Sequence, residues 1–280
     1  MFIKTFGQID KNSVKEAGGK GASLGEMTHA GIPVPPGFVI LARAFDRFLR
    51  ETELGVEIEA IIHKVKVKDI NSVDRASNEI RDLIHREKMP ADLQSEIRAS
   101  FKKLKAKYVA VRSSATAEDS KIASWAGELE TYLNVTDKGL IKSVIKCWSS
   151  LFTPRAIFYR FEKRLHKKPV SVAVVVQEMV QSEVSGICFT VHPVTEDRLQ
   201  MVIEAAFGLG EAIVGGQVTP DTYVVHKDDF SILEISVSEQ KMAIVKTAKG
   251  NVKKNLSVKQ GGKQNLSGRQ IVELAILCKR

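Results

Sequence analysis

The chain has 280 residues, 44% of them apolar, and its 42 Lys and Arg against 33 Asp and Glu leave a net charge of +9. This composition fits a folded chain with one large core or two or three lobes, and no apolar run approaches the roughly 18–20 residues that cross a bilayer. The positive charge suits a polyanionic small ligand, whereas the lysines are scattered, with no aromatic platform or zinc motif between them, which argues against a nucleic-acid partner.

In chain order, the first 41 residues predict a short strand, a glycine-punctuated turn, a helix over 23–30 and a second strand over 37–41. Gly31 terminates that helix and Pro33, Pro35 and Pro36 forbid its continuation. From 42 to 107 the pattern is helical. Asn71 or Ser72 is placed to cap a helix with Val73, Ala76, Ile80, Leu83 and Ile84 on one face, and Pro90 fits the first turn of the next. At Tyr108 the character changes. Strands are expected over 108–112 and 131–135, then a helix capped by Asp137 and another near 154–165. Strands follow over 170–180, 186–191, 200–207 and 222–226, and the unbroken apolar run Val172 to Val176 reads as a strand covered on both faces. A last helix opens at Ser267 or Gly268 and has no terminator before Arg280. There is no internal repeat. The expected division is an N-terminal lobe, 1–107, and a sheet-rich lobe, 108–280, cut short at its C-terminal end.

Five segments carry chemistry. Gly18-Gly19-Lys20-Gly21 precedes helical sequence, where glycines let backbone approach a phosphate and Lys20 adds a mobile cation. It is not a Walker A loop, which would require glycine where Val14 stands. Arg112 ends an apolar strand and is followed by the hydroxyls of Ser113, Ser114, Thr116 and Ser120 and the acids Glu118 and Asp119, poor core material. An arginine can clamp phosphate oxygens in bidentate fashion, or pair with those acids in a surface turn. Residues 123–131 form a small-residue loop in which Gly127 would let backbone lie over a phosphate and the Thr131 hydroxyl could donate to one. Gln177 and Glu178 end the central apolar strand and Met179 and Val180 follow, a combination suited to a purine slot or simply to a strand meeting solvent. Glu204, inside an apolar strand, needs a cation or metal nearby, and the glycines at 208, 210, 215 and 216 imply close backbone approach. The histidines show no metal-ligand spacing and no serine sits in a Gly-x-Ser-x-Gly elbow. Cys147, Cys188 and Cys278 lie far apart in apolar runs, which reads as buried free thiols in a reducing cytoplasm, and the N-terminus carries no apolar signal region.

Taken in order, residues 18–27 (GGKGASLGEM), 33–40 (PVPPGFVI), 111–120 (VRSSATAEDS), 123–135 (ASWAGELETYLNV), 176–180 (VQEMV), 185–190 (SGICFT) and 208–211 with Pro220-Asp221 closely resemble the N-terminal PEP/pyruvate-binding ATP-grasp domain family. That family includes phosphoenolpyruvate synthase (pyruvate, water dikinase), pyruvate phosphate dikinase and rifampin phosphotransferase, and the resemblance is nearest to the synthases. It implies an α+β, ATP-grasp-like fold that holds Mg2+ and ATP for phosphoryl transfer. Carried over residue by residue, Lys20 and Arg112 bind the phosphates, Gly127 and Thr131 belong to the covering loop, Gln177 sits at the nucleotide, and Glu178 and Val180 flank the adenine. The implied partners are a swivelling phosphohistidine domain and a pyruvate-binding domain. Neither the swivelling domain's Thr-Ser-His segment nor the family's metal-binding Glu and Gln-x-Arg occurs among these residues, so no metal ligand is read here. The ATP domain of a rifampin phosphotransferase or of a pyruvate phosphate dikinase, or a stand-alone non-catalytic nucleotide-binding module, are the alternatives.

Overall fold

The computed structural model describes residues 1–116, 130–165, 171–247 and 250–280. It divides the chain into two compact units, Met1–Met179 and Val180–Arg280.

The first unit begins with β1 (Ile3–Thr5), α1 (Val14–His29) and β2 (Gly37–Ile40), continues through α2 (Ala42–Glu51), α3 (Leu54–His63), α4 (Ile70–Arg86) and α5 (Ala91–Leu104), and closes with β3 (Val109–Ala115), β4 (Thr131–Val135), α6 (Asp137–Ser149), α7 (Pro154–Glu162) and β5 (Val172–Glu178). Helix starts follow capping chemistry. The Asp69 carboxylate accepts from the Asn71 N–H at α4, and the Thr153 hydroxyl accepts from the Ala156 N–H at α7, with Pro154 in the first turn. The strands form one antiparallel sheet in the order β1-β2-β5-β3-β4. Strands β3, β4 and β5, which follow residue 107, share this sheet with β1 and β2.

Strand alternation gives the sheet two different faces. Val109, Val111, Val172, Val174, Val176, Phe38 and Ile40 face a large core with α2 to α7. There Trp148 is wholly buried and packs on Phe45 and Phe48, with ring centroids 5.6 and 5.1 Å away. The other face carries Val39, Leu41, Ala173 and Val175 under α1, through Ala17 and Leu24.

The second unit contains β6 (Val184–Phe189), β7 (Gln200–Phe207), the short α8 (Glu211–Val214), β8 (Asp221–His226), β9 (Ile232–Ser236), the hairpin strands β10 (Met242–Thr247) and β11 (Gly250–Asn255), α9 (Val258–Gly261) and α10 (Gly268–Lys279). Strands β6 to β9 pair antiparallel in sequence order. One face of that sheet, with Met201, Ile203, Ala205, Tyr223 and Val225, is covered by Ile271 and Ala275 of α10. Ser267 caps α10 in a reciprocal box with Gln270. Among the described residues no helix is long and apolar enough to cross a membrane.

Candidate nucleotide site

The α1 face of the first sheet is where the expected phosphate-binding residues gather. On β3, Ala110, Arg112 and Ser114 alternate onto this face. Arg112 lies between Thr131 of β4 and Val175 of β5 in the pairing register, and directly opposed residues share a face. Gln177, two residues beyond Val175, lies diagonal to Arg112 and opposite Ala110. Its Oε1 accepts a long hydrogen bond from Arg112 Nη1 at 3.4 Å, while its Nε2 donates to the Pro35 carbonyl at 3.1 Å. The Pro35 contact orients the buried amide so that its oxygen, not its nitrogen, meets the guanidinium.

Helix α1 crosses this face and is broken at Gly18, whose backbone sits at φ 68° and ψ 171°. Only glycine adopts this conformation without strain, and the space is closed as well: a Cβ there would lie 2.3 Å from the Ser114 carbonyl oxygen. The Ser114 hydroxyl ties the break together, donating to the Ala17 carbonyl at 2.9 Å and accepting from the Gly21 N–H at 3.2 Å. Lys20, half-buried, therefore sits in the first turn of the helical segment that restarts after the break. Replacing Ser114 with alanine is expected to cost about 1–2 kcal/mol, because Gly21 N–H loses its acceptor in a buried setting. Urea unfolding checks this, and a midpoint equal to wild type would contradict the bridging role.

The two hydroxyls next after Arg112 are not at the surface. Ser113 and Ser114 are 1% and 0% exposed. Ser113 Oγ lies 3.2 Å from the Cys147 carbonyl, 3.1 Å from the Glu130 carbonyl and 2.9 Å from Ser150 Oγ, so both serines serve the core through buried hydrogen bonds. Thr116 Oγ1 donates to the Ser171 carbonyl at 3.0 Å.

Thr131 is exposed, and its predecessor is firmly held. Arg81 Nη2 donates to Glu130 Oε1 at 3.0 Å, the Tyr132 hydroxyl donates to Glu130 Oε2, and the Glu130 carbonyl also accepts from Ser113 N–H at 3.2 Å. Burial, reinforced by the Glu130 hydrogen bond, pushes the Tyr132 hydroxyl pKa up. Lys146 Nζ lies 5.3 Å from the Tyr132 ring centroid. The Glu-x-Tyr spacing was visible in the sequence, but Arg81 stands far upstream and nothing local announces it.

The remaining expected residues are placed differently. Gly127 lies outside the described residues. Glu178 is opposite Val109 in the register, so it projects to the other side of β5 from Gln177, and its exposed position ends the strand. Val180, 54% exposed, is the first residue of the second unit. Glu204 is half-buried on the face of β7 turned away from α10, opposite Ile187 and Thr222.

Arg112, held by an oriented amide, and Lys20, in the turn after the glycine break, offer a planar fork and a point charge on this face. The chain belongs to the pyruvate phosphate dikinase AMP/ATP-binding domain family, whose model matches residues 14–280. Its α+β fold is of the ATP-grasp-like kind expected for this family. It is 46% identical over 283 aligned residues to a probable phosphoenolpyruvate synthase of Archaeoglobus fulgidus, covering 99% of this chain and 38% of that protein. A probable phosphoenolpyruvate synthase of Methanothermobacter thermautotrophicus is 43% identical over all of this chain and 42% of its own length, and the phosphoenolpyruvate synthase of Pyrococcus furiosus is 39% identical over 98% and 39%. The chain therefore spans about two fifths of the length of these relatives.

Proposed function

We propose that the chain holds Mg-ATP on the α1 face of its first sheet and presents it for phosphoryl transfer, as the nucleotide domain of a phosphoenolpyruvate-synthase-like dikinase in the cytoplasm. The observation that carries this reading is the Arg112–Gln177 pair next to the Gly18 break and Lys20. In phosphoryl transfer the protein's task is positioning and neutralising charge on the transferring group, with little covalent chemistry of its own. Arg112 supplies two parallel N–H donors, Gln177 keeps them aimed, Lys20 adds charge, and the Thr131 hydroxyl, beside Arg112 in the register, adds a further donor. Magnesium enters as the ion carried by the phosphates, where it neutralises their charge. Among the described residues no group of three or more His, Cys, Asp or Glu is placed to hold a metal.

The acceptor in this proposal is a histidine on a separate swivelling domain, and pyruvate receives the group from it, since the relatives named above are phosphoenolpyruvate synthases and not antibiotic kinases. Calorimetric titration of the chain with Mg-ATP tests the binding step. A saturable one-site isotherm is expected, with competition by ADP. Absence of heat and of competition from a folded sample would overturn the reading.

A further inference from the structure

Thr131 stands at a weak point of the first sheet. β4 is an edge strand, last in the sheet order, and Thr131 is its first residue. The end of an edge strand frays unless something beyond the ladder holds it, because few contacts are lost when it opens. Here the hold comes from the opposite side of the sheet. Val111 lies across from Tyr132, and both belong to the helix-covered core, whereas Arg112 lies across from Thr131 on the α1 face. Glu130, one residue earlier, makes its side-chain contacts on the helix-covered side. Arg81 Nη2 of α4 donates to Glu130 Oε1 at 3.0 Å and the Tyr132 hydroxyl donates to Oε2, so both carboxylate oxygens are engaged. The Glu130 carbonyl accepts from the Ser113 N–H at 3.2 Å and lies 3.1 Å from Ser113 Oγ. Backbone and side chain of this residue are thus tied to α4, β3 and β4.

We propose that Arg81 is a positioning residue for the nucleotide site: through Glu130 it fixes the start of β4, and so sets the Thr131 hydroxyl toward the phosphates that Arg112 receives. The inference rests on the nucleotide reading above. Arg81 does not meet the ligand, since it holds Glu130 from the helix layer while Thr131 and Arg112 share the other face of the sheet. It acts as a fixed point because α4 is anchored: Ile80 and Ile84, on either side of Arg81 in the chain, are wholly buried in the core on that side. The ion pair is charge-assisted, and with side chains only 26% and 32% exposed it is partly shielded from water, which makes it firmer than a surface pair. Without Arg81 the Glu130 carboxylate keeps Tyr132 alone, and both belong to the same strand end, so neither ties it to the core helices. The Thr131 hydroxyl is then ordered only when the ligand arrives, at an entropy cost that weakens binding.

Calorimetric titration with Mg-ATP across a double-mutant cycle tests this. Arg81→Ala should weaken binding by about tenfold in the otherwise native chain, and by less than about twofold beside Thr131→Val, which has no hydroxyl to position. Arg81→Lys, which keeps a cationic donor for Glu130, should recover part of the affinity and leave a deficit of about threefold. Tyr132→Phe frees only the second carboxylate oxygen and serves where Arg81→Ala fails to fold. It should cost about threefold, again only while the Thr131 hydroxyl is present. A merely structural role would lower the urea midpoint and weaken binding equally in both Thr131 backgrounds. Equal losses in the two backgrounds, or native affinity in both Arg81→Ala and Tyr132→Phe, would overturn the inference. If Arg112→Ala loses affinity and Arg81→Ala does not, the positioning role alone fails. If the native chain binds no Mg-ATP, the nucleotide reading fails and the positioning role with it.

Discussion

Arg112→Ala weakens Mg-ATP binding by about 100-fold, a loss of about 2.7 kcal/mol, while the chain stays folded. The expectation rests on what the side chain does in the sheet. Arg112 is half-buried between Thr131 and Val175, with Gln177 accepting from its Nη1, so it is partly pre-ordered before any ligand arrives. Pre-ordering reduces the entropy lost on binding, and partial burial raises the value of each charge-assisted hydrogen bond. Arg112→Lys keeps the charge but loses the planar fork, and should recover only part of the affinity, leaving a deficit of about tenfold. Adenosine, which has no phosphates, supplies the control: its binding should change less than about twofold in either variant. Calorimetry with both ligands reads this directly. Equal weakening of adenosine and ATP would show that the substitution disturbs the site as a whole and that Arg112 is not the phosphate clamp.

Most of the first unit could be read from periodicity and capping residues, because its helices are amphipathic and long. β4 and β7 fall where alternation and apolar runs placed them. The differences arise where a residue's partner is remote. The helix expected over 23–30 extends back to Val14, because glycines that locally read as turn formers are required by packing. At Gly25 a Cβ would stand 2.3 Å from the Ile9 carbonyl oxygen, so the glycine permits a close helix-to-backbone contact. Ser113 and Ser114 look like surface hydroxyls until their partners at Ala17, Glu130, Cys147 and Ser150 are known. β9, β10 and β11 were not anticipated. β9 and β10 are short, and Lys253, Lys254 and Asn255 fill half of β11, which weakens the apolar signal that marks a strand. The site shows the same pattern: Arg112 and Gln177 are each identifiable by local chemistry, whereas their pairing depends on the β3–β5 register.

Asp221 is the residue whose loss should damage the second unit most. It follows Pro220 in a pair that belongs to the family pattern but has no role legible in its neighbours, and the structure shows a side chain 0% exposed that accepts four hydrogen bonds. Oδ2 accepts from the Tyr223 hydroxyl at 2.9 Å, from Asn265 N–H at 2.7 Å and from Asn265 Nδ2 at 2.6 Å, and Oδ1 accepts from Ser238 N–H at 3.0 Å. The Tyr223 hydroxyl in turn accepts from Leu266 N–H at 3.2 Å. One carboxylate therefore ties β8 to the segments that lead into β10 and α10. Asp221→Ala strands two backbone N–H groups and an amide in a buried setting, where each orphaned donor costs about 1–3 kcal/mol less whatever water recovers. A net loss of about 3–5 kcal/mol is expected, a large fraction of the 5–15 kcal/mol that typically holds a domain together. Asp221→Asn keeps the shape but turns an NH2 group toward existing donors, and should cost about 2–3 kcal/mol. Circular dichroism in urea gives the magnitude. Hydrogen exchange gives the location, with the Ser238 and Asn265 amides losing protection first while those of β3 and β5 are unchanged. An Asp221→Ala chain within about 0.5 kcal/mol of wild type, with those two amides still protected, would mean that water or a neighbouring carbonyl replaces the carboxylate and that Asp221 is not the hub of this unit.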